Sequence, residues 1–318
     1  MLLKRIKGNY VFRGVAEVQY KPCYLQLKKE EFDEKIEAGK KHLTQCTLCP
    51  RECGVDRTKE LGYCQAGVEV KVSSFGPHFG EERELVGRRG SGTIFFGHCN
   101  LRCVYCQNHQ LSFGGEGSKY SVEQLAEMML IVQDYYLCSN INLVSPTHYV
   151  PQILEAVYLA SQKELELPIV YNCGGYEKVD TLKLLDGVVD IYMPDLKYYS
   201  REWGKRYSDA PDYFERASQA VLEMDRQVGA LKLNEQGLAY RGLLIRHLIL
   251  PGGLVETKEV LKFVKNKLSP GVLLNLMDQY YPSHKAFRYT ELSRRITRKE
   301  YNDAVRYAQL LGLRLAAV

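Results

Sequence analysis

From Gly92 onward, six short apolar, β-branched runs alternate with stretches of helical periodicity, and this alternation constrains the fold more than any other feature. The runs cover residues 93–96, 141–144, 169–171, 188–192, 243–250 and 272–276. Strands separated by helix-length spacers cannot pair as hairpins. Each spacer has to cross a sheet face, which gives βαβ units and a parallel sheet, open or curled into a partial barrel. Helix starts are marked as well. Ser121 with Gln124 and Thr297 with Glu300 form capping-box pairs, ahead of helices predicted over 121–136 and about 298–311. A charged amphipathic helix is predicted earlier, over 29–42, and no internal repeat or low-complexity segment interrupts the chain.

In parallel sheets of this kind ligands gather at the carboxyl ends of the strands, so the residues after each run carry the functional signal. They are, in order, the loop Cys99–Cys106, Ser145-Pro-Thr-His148, Asn172-Cys-Gly-Gly, Pro194-Asp-Leu-Lys197, Arg246-His247 leading to Pro251-Gly-Gly, and Asn275 with Asp278 and Gln279. Polar, ligand-capable groups stand at all six ends, which a purely structural sheet does not require.

The first loop is the sharpest signal. Gly97-His-Cys99-Asn-Leu-Arg-Cys103-Val-Tyr-Cys106 sets three cysteines in a C-x3-C-x2-C spacing. Three thiolates satisfy three irons of a [4Fe–4S] cube and leave the fourth open, unlike the four-cysteine clusters that only move electrons. Structural zinc prefers four ligands, and His98 would have to serve from the residue adjoining Cys99.

The run from Gly90 to Cys106-Gln-Asn108 resembles the cluster region of radical S-adenosylmethionine (SAM) proteins related to pyruvate formate-lyase activating enzyme. Cys46-Thr-Leu-Cys-Pro-Arg-Glu-Cys53, His78-Phe-Gly-Glu-Glu82, Tyr171-Asn-Cys-Gly-Gly-Tyr176, Asp190-Ile-Tyr-Met-Pro-Asp-Leu-Lys197 and Arg246-His-Leu-Ile-Leu-Pro-Gly252 are similar to an uncharacterised branch of that group. The resemblance implies a partial (β/α)6, TIM-like barrel with SAM across its top and a [4Fe–4S] cluster on Cys99, Cys103 and Cys106. The open iron would chelate the SAM amino and carboxylate groups, and reductive cleavage would release a 5′-deoxyadenosyl radical. Tyr105 would lie against the adenine, Asp195 and Lys197 near the methionyl group, and Arg246 near the carboxylate. Ser145, Thr147 and Asn172 complete the implied SAM site. Two positions depart from the family pattern. Ser145-Pro146-Thr147 stands where a Gly-Gly-Glu segment usually holds the SAM amino group, and His98 replaces the usual small residue before the first ligand. Plainer readings also exist: Asp195 and Lys197 share a strand face and can simply pair, and His148 fits the first turn of a helix.

A second group, Cys46-x2-Cys49-x3-Cys53-x10-Cys64, offers four thiols, enough to close either a zinc knuckle or an auxiliary [4Fe–4S] cluster. Of the remaining cysteines, Cys23 and Cys138 read as ordinary packed residues. Cys173 follows the third strand and is the candidate catalytic thiol, able to give a hydrogen atom or hold substrate. The aromatic and basic mixture of residues 198–207 suggests a lip over the site.

Composition adds bounds. Ten cysteines point to metal ligation in a reducing compartment, and no stretch approaches the ~18 apolar residues of a membrane helix. The start, Met1 to Gly8, shows no leader pattern, so the cytoplasm is expected. A net charge of +5 is too small to imply nucleic acid but suits an acidic electron donor such as flavodoxin or ferredoxin. The expected division is an amino-terminal helix and cysteine-rich extension over 1–90 and the barrel core over 91–318. Three functions follow, in order: a radical enzyme acting on a glycine of a partner protein, the same chemistry on a small molecule or peptide, and a non-catalytic metal-binding module.

Overall fold

The computed structural model describes residues 20–253 and 256–316; the segment from Met1 to Gly8, read above for a leader, lies outside them. Among the described residues ten strands form: β1 (Val70–His78), β2 (Ser91–Phe96), β3 (Ser118–Tyr120), β4 (Ile141–Val144), β5 (Ile169–Cys173), β6 (Ile191–Pro194), β7 (Lys232–Leu233), β8 (Ala239–Leu248), β9 (Leu273–Met277) and β10 (Arg314–Leu315). Six of them, β2, β4, β5, β6, β8 and β9, lie side by side in that order, and each neighbouring pair is parallel. Short β10 extends this series in parallel beyond β9. The sheet ends at β10 on one side and β3 on the other, so it does not close on itself. The architecture is α/β, a partial barrel of six βα units.

The capping signals work locally as the chemistry demands. Ser121 Oγ accepts from the Gln124 amide at the head of helix Val122–Asp134, and Thr297 does the same with Glu300 at the head of Arg298–Leu310. The amino-terminal helix runs Lys29–Thr44, buries Phe32 and Ile36, and hands the chain directly to Cys46.

Two features were not anticipated from the sequence. Strand β1 pairs antiparallel with β2, and β3 pairs antiparallel with β1, so a stretch of the expected extension joins the barrel sheet. Its sequence, with two serines, Gly76 and Pro77, is poor in strand-forming residues, and only pairing with buried β2 holds it extended. Strand β6 also starts three residues later than expected. Asp190 is buried there and works as a clamp: Oδ2 accepts the Ile169 amide and Oδ1 the Cys23 amide, each at 2.8 Å, and the hydroxyl of Tyr20 donates to it as well. One carboxylate thus fastens the amino-terminal segment to the sheet.

Candidate active site

All six strand ends open on one cleft of about 440 Å³. Its wall contains Cys99, Cys103, Cys106 and Tyr105 after β2, and Ser145, Thr147 and His148 after β4. Asn172, Cys173 and Gly174 come from β5, Asp195 and Lys197 from β6, Arg246 and Leu248 from β8, and Met277 and Gln279 from β9. The sequence-derived residues are therefore brought together on one surface. Gly175, at φ +78°, makes this possible at β5, since a Cβ there would stand 2.1 Å from the Asp195 carbonyl oxygen.

Each thiol of the triplet has a hydrogen-bonding neighbour. Cys99 Sγ accepts the Leu101 amide at 3.4 Å, Cys103 Sγ lies 2.9 Å from Ser208 Oγ, and Cys106 Sγ is 3.6 Å from Ser112 Oγ and accepts the Asn108 amide. Burial raises the Cys99 thiol to about 12 and Cys106 to about 11, so a cation is needed before they ionise at neutral pH. Tyr105 is buried beside them, its hydroxyl 2.6 Å from that of Tyr198, which in turn reaches Ser208 at 2.7 Å. The two departures from the family pattern carry a backbone signature: His98 has φ +75° and Ser145 φ +58°, the left-handed region that glycine enters at no cost. His98 is held neutral, chiefly by burial and also by the nearby Lys71.

Charge inside the cleft is paired. Lys197 Nζ meets Asp195 Oδ2 at 2.5 Å. Burial alone would lower the lysine, but the Asp195 carboxylate and neighbouring thiol and hydroxyl groups outweigh it and keep it charged. Arg246 lies 3.4 Å from Glu81 Oε2 and 3.2 Å from Glu82 Oε1, and its Nη1 is 3.4 Å from Asn172 Oδ1. Its neighbour His247 faces away, bonded to the Leu196 carbonyl oxygen and to Thr257, and burial keeps it neutral. His148 is buried with Nε2 on the Gly97 carbonyl oxygen at 2.9 Å, and burial depresses it to about 3.

Sequence reasoning missed three carboxylates. Glu81 and Glu82 occupy Arg246, and Asn275 donates to Glu82 at 2.7 Å. Glu177 is fully buried, accepting from Thr147 Oγ1 at 2.5 Å and from the Tyr171 hydroxyl at 3.1 Å, with the Cys173 thiol as a further donor. Burial raises Glu177 to about 7, and those hydrogen bonds oppose the rise. Cys173 is pushed well above its ordinary range by burial and by Glu177, so it stays a thiol. The family likeness of His78-Phe-Gly-Glu-Glu82 was the available hint for the first two. For Glu177, one acidic residue after Gly-Gly-Tyr gave none.

A model of the radical SAM superfamily matches residues 93–264, more than half of the chain. The chain belongs to that superfamily. Its members are enzymes that use a [4Fe–4S] cluster, SAM and an electron donor, which sets aside the non-catalytic module. A relative from Methanocaldococcus jannaschii, itself an uncharacterised protein, is 31% identical over 299 residues, spanning 91% of this chain and 81% of its own. Among solved structures, a radical SAM methyltransferase from Sphaerobacter thermophilus is similar with a TM-score of 0.48 at 13% identity, over 70% of this chain and 65% of that one. A domain of pyruvate-formate lyase-activating enzyme from Bacteroides vulgatus gives a TM-score of 0.37 at 10% identity, over 52% and 91%.

The residues present fit a cluster of the radical SAM kind. Of the other potential ligands in the cleft wall, His148 is bound to a carbonyl oxygen, Cys173 is held by Glu177, and His78 packs edge-on against Phe95. The three thiols of the triplet remain, together with polar groups on the facing strand ends.

The lip is not where the sequence suggested. Residues 201–208 form a helix in which Trp203 stacks on Tyr207 at 5.4 Å, while Tyr198 and Tyr207 are fully buried. Tyr199 is exposed at the surface beside Phe214, and no aromatic ring of this stretch lines the cleft. Among the described residues no helix is long and apolar enough to cross a membrane.

Proposed function

We propose that Cys99, Cys103 and Cys106 hold the [4Fe–4S] cluster of this radical SAM enzyme with one iron left for SAM, and that the enzyme abstracts hydrogen from a glycine of a partner protein. The observation that carries the reading is the convergence of those three thiols with polar groups from every strand end on one cleft. When held there, the cluster would supply the electron for reductive cleavage of the SAM C5′–S bond.

The chain's own residues prepare the site for that event. Lys197, kept cationic by Asp195, presents a fixed positive charge near the place proposed for the SAM methionyl group, and Asp195 Oδ1 is left to accept a hydrogen bond there. Thr147, its hydroxyl donating to Glu177, orients the β4 loop without the usual glutamate. Arg246, braced by Glu81 and Glu82, gives the β8 end a rigid guanidinium for the SAM carboxylate. Tyr105, fixed through Tyr198 and Ser208, offers its ring face to the adenine. Cys173, protonated and in the wall, can return a hydrogen atom. A flavodoxin- or ferredoxin-type protein of the cytoplasm is the proposed electron source.

The test is to incubate reduced enzyme and SAM anaerobically with candidate glycyl-radical proteins and record electron paramagnetic resonance. A glycyl doublet supports the reading. Formation of 5′-deoxyadenosine with no doublet, and with label from a deuterated small molecule or peptide appearing in it, assigns the chemistry to that other substrate class.

A further inference from the structure

A second buried site stands beside the first. Cys46, Cys49, Cys53 and Cys64 line one small enclosed space, together with Leu48, Arg51, Val55, Arg57, Ala66 and His148. We infer that these four cysteines hold a second [4Fe–4S] cluster, with every iron ligated by the chain. The inference goes beyond the reading of the cleft and does not depend on it.

The first argument is how the thiols are dressed. Cys49 Sγ accepts the amide two residues on, from Arg51, and Cys64 Sγ accepts that of Ala66. Cys99 with Leu101 and Cys106 with Asn108 make the same contact in the cleft. Cys53 Sγ accepts the Tyr63 amide at 3.4 Å across its loop. Amide hydrogens aimed at sulfur stabilise thiolate charge. Cys173 accepts one from Gly175 as well. What marks the amino-terminal loop is that three thiols dressed in this way line one space with a fourth. Gly62 belongs to this packing, since a Cβ there would come within 3.1 Å of Cys53 Sγ.

The second argument is charge. Arg57 is buried, and all three of its guanidinium nitrogens bond carbonyl oxygens, those of Ala66, His148 and Gly67. No carboxylate among the described residues pairs with it. Arg51 adds a buried Nη2 with no hydrogen-bond partner, and His148 a buried Nδ1 without one. An uncompensated buried cation is costly. An anionic group ligated by four thiolates supplies the missing charge.

The third argument, for a cube over a single zinc ion, is the neighbouring loop: Cys99 and Cys106 there accept the same amides two residues on, and the superfamily to which that loop belongs uses a cube. The two cysteine loops are also stitched together: Arg51 Nε donates to the Asn100 carbonyl oxygen at 3.0 Å, and Arg102 donates to the carbonyl oxygens of Cys99 and Tyr63.

The experiment counts metal in the full-length chain after anaerobic iron and sulfide reconstitution. Three forms are compared: wild type, the triple variant C99A/C103A/C106A, and C49A/C64A. We expect about eight irons per chain in the wild type and about four in each variant, four per cube. Both variants should give a reduced [4Fe–4S] resonance, and SAM should alter only that of C49A/C64A. A triple variant carrying one zinc or no iron overturns the inference, as does C49A/C64A with the iron content of wild type. Should a variant fail to fold by circular dichroism, the wild-type count decides alone: eight irons support the second cube, four irons refute it. Failure of the cleft reading would show separately, as wild type whose resonance ignores SAM.

Discussion

The two cysteine regions, both proposed to hold a cube, differ in their surroundings. In the cleft, three thiols face a space of about 440 Å³ that also carries the polar groups of Asp195, Lys197 and Asn172. In the amino-terminal loop, four thiols face a small space walled by Leu48, Val55 and Ala66 and backed by Arg57. One site leaves room for a ligand the chain does not provide, and the other is closed by the chain itself. An open coordination position together with polar strand ends suits catalysis. A complete thiolate set behind an apolar wall suits storage or movement of an electron. The difference lies in the surroundings, not in the cysteine count alone.

Four substitutions sharpen or break this contrast. The largest effect is expected in the cleft: Cys103→Ala should reduce 5′-deoxyadenosine formation from SAM to that of an enzyme-free control, measured by chromatography of the quenched reaction. Retained turnover would move the reactive centre elsewhere. Next comes the Asp195–Lys197 pair. Removing one partner of a buried pair costs about 3–5 kcal/mol, and here the two side chains are 24% and 15% exposed. Asp195→Asn should therefore lower stability in urea unfolding by roughly 3 kcal/mol and weaken SAM binding.

Glu177 gives a comparable effect with a pH signature. Its carboxyl rises from an ordinary 4.5 to about 7, mainly through burial, so the folded chain holds a proton that the unfolded chain has released. Stability is full below about 4.5 and falls as the pH climbs to about 7, by on the order of 3 kcal/mol. Unfolding at pH 5 and pH 8 should show that loss in wild type and little of it in Glu177→Gln. An equal slope in both would place the titration on another group. The smallest effect belongs to the rim of the closed site, where Lys178 meets Glu52 at 2.5 Å and Glu52 is half exposed. Glu52→Gln should change stability by less than about 1 kcal/mol, detectable as a shift in urea midpoint.

Much of the cleft was legible because its signals are local. The triplet spacing lies within eight residues, and the apolar runs of β2, β4 and β5 are contiguous, so both can be read from the sequence without knowing the fold. What escaped depends on distant partners. Glu81 and Glu82 look like a solvated acidic pair until β8 brings Arg246 to them, 165 residues along the chain from Glu81. Arg57 reads as a surface charge until the β4 loop delivers the carbonyl of His148. Strand β1 was hidden by Gly76 and Pro77, and only its neighbour β2 makes it a strand. Residues 198–207 misled for the opposite reason. Their aromatic and basic mixture resembles an exposed rim, yet Trp203 and Tyr207 stand four apart, the spacing of a helix face.

The central claim is a cube with one corner free for SAM at Cys99, Cys103 and Cys106. Electron–nuclear double resonance on the reduced enzyme, with SAM carrying 15N in its amino group, tests that corner directly. The account predicts a nitrogen coupling to the cluster that disappears in the triple variant C99A/C103A/C106A. A reduced cluster that shows no coupling in wild type, with its resonance unchanged by SAM, would contradict it.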